Sequence, residues 1–143
     1  MPPDLPDLTS PAGWLRRAGS NLARAKAGRP TPEVLYEDLC FDAQQAVEKA
    51  VKAVLISKGV PFPKTHAIAE LLTLLAPHIQ VPDDIRSASA LTRYAVDTRY
   101  PGLSEPVTES DYLESVSAAE RVVRWAETQI LAASDNSPAS GGR

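Results

Sequence analysis

Between Leu35 and Leu55 the chain places Leu35, Leu39, Ala43, Ala46, Ala50 and Val54 on one helical stripe, and Cys40, Val47, Val51 and Leu55 on a second beside it. Two neighbouring stripes at this period make an apolar arc too wide for a surface helix. Such a segment has to be surrounded, so the pattern predicts a central helix. Thr31-Pro32 sets its expected start, a hydroxyl cap followed by proline, and Gly59 its expected left-handed end. Only Gln45, Glu48, Lys49 and Lys52 leave a narrow polar edge.

The neighbours of that helix are marked by similar punctuation. Ser10-Pro11 opens a first helix carrying Trp14, Leu15, Ala18, Leu22 and Ala25, which stops near Gly28. A short helix after Thr65 aligns Ile68, Leu71, Leu72 and Leu75 and ends at Pro77. A fourth is expected from Asp83, with Ile85, Ala88, Leu91, Ala95 and Val96. A fifth opens on Thr108-Glu109-Ser110-Asp111, resembling a capping box, and repeats Tyr112, Val116, Ala119, Val123, Ala126 and Ile130. No run alternates with a period of two between hairpin signals. The expected fold is therefore all-α, an antiparallel up-down helical bundle of four main helices plus one short one. Proline near the start and the Ser/Gly/Pro mixture at the end predict disordered segments at 1–9 and 134–143, flanking one domain over 10–133.

At 143 residues and a formal net charge of −3, the chain has no general basic field, so any anion site has to be local. A lone cysteine and two distant histidines leave no ligand set for structural zinc, and no metal or cofactor is expected. With no basic, apolar leader and no run of roughly 18 apolar residues, the expectation is a cytoplasmic protein without membrane attachment. There is no Gly-rich phosphate loop, G-x-S-x-G or H-E-x-x-H.

Four local features remain. Gln44, Gln45, Glu48, Lys49 and Lys52 form either a solvated face with i,i+4 pairing, such as Glu48 with Lys52, or a dimer or ligand surface. Lys64 and His66 stand at a helix start, either solvated and packed or placed to hold a phosphate. Cys40 reads as a small core residue. The fourth is ALTRYAVDTRYPG, in which Arg93 and Asp97 are four apart. Arg99 and Tyr100 stand at the helix exit. Its polar groups either close the helix end or, as Arg93, Arg99 and Tyr100, hold a phosphate or base by charged hydrogen bonds and stacking.

The blocks WLRRAGSNLARA, CFDAQQAVEKAVKAVLISKG, PKTHAIAELL and LTRYAVDTRYPG, in that order, resemble the HEPN domain family over roughly residues 12 to 130. The resemblance implies a five-helix homodimer, often the partner of a minimal nucleotidyltransferase in toxin–antitoxin or defence modules. Many members are metal-independent ribonucleases whose R-x4-6-H motifs meet across the dimer. In one branch the motif extends to R-x-x-x-x-H-x-Y, and its tyrosine accepts AMP from the partner enzyme. On this chain Arg93 matches the motif arginine and Tyr100 the modified tyrosine, while Thr98 stands at the histidine position. Asp42 likewise occupies a place where members commonly have histidine. Threonine has no group that titrates near neutrality and cannot shuttle a proton as imidazole does. The expectation is thus a non-enzymatic dimeric module that binds nucleotide or RNA. Arg93, Arg99, Tyr100, Lys64 and His66 are its candidate ligands, and a nucleotidyltransferase its partner. The rivals are a ribonuclease toxin with an altered site built on Arg93, and a purely structural dimeric adaptor.

Overall fold

The wide apolar arc forms α2 (Tyr36–Ser57), the centre of a computed structural model that describes residues 10–96 and 106–135. Its buried face includes Leu39, Cys40, Ala43, Ala46, Val47, Ala50, Val51, Val54 and Leu55. It packs most extensively against α1 (Pro11–Lys26) and then against α6 (Glu109–Asp135). All elements among the described residues are helical. Residues 1–9 and, of the tail expected at 134–143, those from 136 onward lie outside the described residues; 134 and 135 are still helical, as α6 continues through Asp135.

The helix ends follow from the chain's own chemistry. Ser10 Oγ accepts the Gly13 amide at 3.0 Å, with Pro11 at the first helical position, where its missing N–H costs nothing. At the end of α2, Val60 N–H bonds Leu55 O at 2.9 Å and Gly59 N–H bonds Ile56 O at 3.0 Å. Gly59, at φ 70°, supplies the left-handed step of this Schellman ending. Thr108 and Asp111 close a reciprocal box at the start of α6, each side chain accepting the other's amide, at 3.1 and 3.0 Å.

Two boundaries differ from expectation. Thr31-Pro32 opens a turn, in which Val34 N–H bonds Thr31 O, and Leu35 remains extended before α2 begins at Tyr36. The Arg29 guanidinium donates to Pro32 O and its carbon lies 4.6 Å from the centre of the Tyr36 ring, so the connector is anchored from both sides. The fourth helix is segmented into α4 (Asp83–Arg86), a 310 stretch (Ser87–Thr92) and α5 (Arg93–Val96). Ile85, Ala88, Leu91 and Tyr94 are all buried at a strict spacing of three, which matches 3.0 rather than 3.6 residues per turn. Small side chains at Ser87, Ala88, Ser89 and Ala90 allow that tighter winding. α3 (Ile68–Leu75) is the short helix, and its first amide, Ile68 N–H, donates to Thr92 Oγ1 at 3.1 Å.

Pairings across the bundle give its directions. Trp14 at the start of α1 lies by Lys52 late in α2, while Arg24 near the end of α1 meets Asp42 early in α2, so this pair is antiparallel. Tyr36 and Tyr112, near the starts of α2 and α6, stack at 5.4 Å, so these two helices run the same way. The segment from α3 to α5 carries the chain back between them.

Candidate functional site

Arg93 opens α5 at the point where the 310 stretch hands over to α-helix, and this places it at the rim of a cleft of about 570 Å³. Ser87, Tyr94, Asp111, Ser117 and Arg121 line the cleft with it. The guanidinium carbon of Arg93 is 4.7 Å from the centre of the Tyr94 ring, and its Nη1 donates to Tyr94 Oη at 3.0 Å. Tyr94 itself is buried, so the aromatic floor holds the arginine without competing for solvent. Burial pushes the Tyr94 hydroxyl up, keeping it a neutral phenol. Across the cleft Arg121 donates to Ser117 Oγ at 2.9 Å. Asp111 faces the same space; the Thr108 amide and hydroxyl, with help from Arg93, hold its carboxyl below the usual range.

Among the described residues the lining offers two guanidinium groups, the carboxylates of Asp111 and Glu114, hydroxyls and a buried ring. Cys40 lies behind it as a fully buried thiol whose pKa burial pushes up, which suits the core role read from the sequence. No group of three or more metal-ligating side chains occurs among the described residues.

The other candidate residues are placed elsewhere. His66 Nδ1 sits 3.0 Å from Glu48 Oε1. Neither His66 nor the exposed Lys64 lines the Arg93 cleft, although the start of α3 reaches the residue before Arg93 through the bond from Ile68 N–H to Thr92 Oγ1. The amide at the start of α3 is taken by Thr92, which leaves less of that helix end for an anion at Lys64. Thr98, Arg99 and Tyr100 lie outside the described residues, as does Asp97.

Sequence reasoning did not find the buried polar spine. Gln44, Glu48 and Lys52 are nearly inaccessible rather than solvated, and the pairing read for Glu48 and Lys52 holds at 2.8 Å inside the protein. Gln44 Nε2 donates to Glu48 Oε1 at 2.9 Å, while the Lys52 ammonium lies 5.5 Å from the Trp14 ring and 5.6 Å from that of Phe62. Spacing of four along α2 was the available signal; what covers that edge was not. Tyr94, Asp111 and Arg121 were missed as partners of Arg93 because Arg121 and Asp111 come from a distant helix.

Comparison with known proteins agrees with this architecture. The model of the HEPN domain family matches residues 12–129. The chain is 29% identical over 126 residues to the candidate toxin MJ1304 of Methanocaldococcus jannaschii, covering 77% of this chain and 81% of that protein. Among solved structures it resembles ST0689, an archaeal HEPN homologue, at 30% identity and a TM-score of 0.69, over 85% of this chain and 98% of the other. It also resembles TT1696 from Thermus thermophilus, at 29% identity and a TM-score of 0.73, over 83% of this chain and 97% of that one. With the family model spanning nearly all of the described helices, the chain belongs to the HEPN domain family.

Proposed function

We propose that this HEPN domain, spanning about residues 10–133, is a homodimeric module of the cytoplasm that binds nucleotide or RNA at the Arg93 cleft. The observation that carries the reading is the paired presentation of Arg93, held over the Tyr94 ring, and Arg121 across one open space. Guanidinium groups bind phosphate through charge-assisted, often bidentate hydrogen bonds. Arg99 and Tyr100, close in sequence, would extend the same surface, with Tyr100 the candidate for modification by a nucleotidyltransferase partner. Lys64 and His66, which do not line the cleft, would contribute from the start of α3 beside it.

Calorimetric titration with AMP, ATP and a short single-stranded RNA tests the proposal. Binding should weaken about 10- to 100-fold in Arg93→Ala, as expected for losing a hydrogen bond to a charged group worth about 1.5–3 kcal/mol. Absence of binding to all three ligands would remove the nucleotide reading.

A second reading, a ribonuclease toxin, is favoured by the similarity to MJ1304, which is named as a candidate toxin. It predicts RNA cleavage without added metal that Arg93→Ala abolishes. Because Thr98 stands at the position of the motif histidine, Thr98→His should raise any such cleavage by about 10²- to 10⁴-fold. If neither protein cuts RNA, binding remains and the toxin reading falls.

A further inference from the structure

Apart from the Arg93 cleft, α3 and the chain that follows it enclose a second, smaller one. Ala69, Leu72, Thr73 and Ala76 fall at i, i+3, i+4 and i+7 along α3 and its C-terminal cap, so they form one wall. Val81, Arg86 and Ser89 form the other, the last two standing three residues apart where α4 passes into the 310 stretch. The space between the walls is about 270 Å³. Sites for drug-sized ligands span roughly 300–1,000 Å³, so this one has room only for a smaller molecule.

The lining is apolar except at one end. Leu72 and Val81, both core residues, supply the floor, while the short side chains of Ala69 and Ala76 leave the space open. Among the described residues Arg86 is the one lining residue that carries a charge. Its Nε donates to Val81 O at 3.1 Å, which fixes the guanidinium at the edge of the cleft and leaves both Nη groups for a ligand. Asp83 and Asp84 on α4 and Glu70 on α3 do not line the cleft, and no carboxylate pairs with Arg86 among the described residues. Thr73 Oγ1 has its proton committed to Ala69 O, at 2.9 Å, whereas the Ser89 hydroxyl has no partner among those residues. The donors that remain are thus Arg86 and Ser89.

An apolar floor ending in one unpaired guanidinium is complementary to an anion carried on a short hydrocarbon chain. A carboxylate matches the guanidinium fork through two parallel hydrogen bonds, and the chain leaves water on meeting Leu72 and Val81. A single cation does not balance a phosphate dianion, which separates this ligand class from that of the Arg93 cleft. We propose that the α3–α4 cleft binds a short aliphatic monocarboxylate, its carboxylate on Arg86 and Ser89 and its chain on the apolar floor. The inference is independent of what the Arg93 cleft binds.

The test is titration of the full chain with butyrate, pentanoate and hexanoate at constant ionic strength, followed through backbone amide shifts by NMR. 1-Hexanol and inorganic phosphate are the controls. Affinity should rise about fourfold with each added methylene, the factor expected for burying one such group, and the shifts should centre on Thr73, Val81 and Ser89. Hexanoate should bind about tenfold or more weakly to Arg86→Gln, which removes a charged hydrogen-bonding partner. Ala69→Leu, which fills the cleft from an exposed helical position, should weaken it as much, and Arg93→Ala should bind as wild type does. Arg86 is exposed as well, so both substitutions read the site without risk to the core. Four results would each overturn the proposal: no saturable binding of hexanoate, equal binding of 1-hexanol or phosphate, unchanged binding in either α3–α4 variant, or loss of binding in Arg93→Ala.

Discussion

His66, whose side chain is 66% exposed, reaches back to place Nδ1 3.0 Å from the Oε1 of Glu48, which is only 4% exposed. As an ionised carboxylate accepts only, the imidazole N–H donates, and the 58–67 connector is thereby pinned to α2. Glu48 also accepts from Lys52 and Gln44, so a buried charge has every partner it needs. Burial alone would push the Glu48 carboxyl up, yet bonds from Lys52, His66 and Gln44 outweigh it and hold the pKa below the usual range. The folded value being the lower one, this stability is present above the range in which an unfolded glutamate titrates, and is lost as pH falls through the folded value. Denaturant unfolding followed from pH 7 to pH 3 should therefore show wild type losing more stability than Glu48→Gln. Glu48→Ala should cost about 3–5 kcal/mol at neutral pH, because the Lys52 ammonium stays buried without its partner. Equal acid slopes in wild type and Glu48→Gln would contradict this.

Tyr112 joins the ends of three helices. Its hydroxyl donates to Ala25 O at 2.6 Å while its ring stacks on Tyr36, so one residue of α6 secures both the end of α1 and the start of α2. Tyr112→Phe keeps the stack and removes the bond, leaving the Ala25 carbonyl only the longer bond from Gly28 N–H at 3.4 Å. The loss should be about 1–3 kcal/mol by chemical denaturation, with no change in helix content by circular dichroism.

At the other end of the connector preceding α6, the box between Thr108 and Asp111 satisfies two amides that the first turn leaves open. Thr108→Ala should cost about 1 kcal/mol. The same box borders the Arg93 cleft through Asp111, so its loss should also weaken nucleotide binding by a small factor. A titration of Thr108→Ala with AMP, beside its unfolding curve, measures both effects.

How much of this was legible in the sequence depended on range. The central position of α2 could be read because a wide apolar arc has one physical solution, and the caps at Ser10 and Thr108 because they act within three residues. Thr31 misled for an instructive reason: a hydroxyl before proline caps a turn as readily as a helix, and contacts made by Arg29 decide which. The three-residue spacing from Ile85 to Tyr94 was present in the chain, but a helix read at 3.6 residues per turn hides it. At the candidate site, Arg93 could be singled out from its neighbours in sequence, whereas Arg121 joins it only through the packing of α6 beside the 310 stretch. The relay between α1 and α2, in which Lys49 donates to Asn21 and Asn21 to Asp42, was likewise beyond reach, since nothing local says that two polar stripes will face each other.

Two glycines separate backbone need from chance. Gly19 lies within α1 with helical φ, and a Cβ added there meets nothing within 4 Å; Gly59 has equally open space but φ of 70°. Alanine at Gly19 should therefore stabilise the protein by about 0.5–1 kcal/mol, since it lowers the entropy of the unfolded chain and improves helix propensity at no steric cost. Alanine at Gly59 should destabilise by about 1–2 kcal/mol, because an L side chain in the left-handed region is strained however much room surrounds it. For a chain of this length the two variants should move Tm in opposite directions, by a few degrees each. A gain at Gly59, or a loss at Gly19, would mean that the Schellman ending of α2 or the regular winding of α1 is not as described.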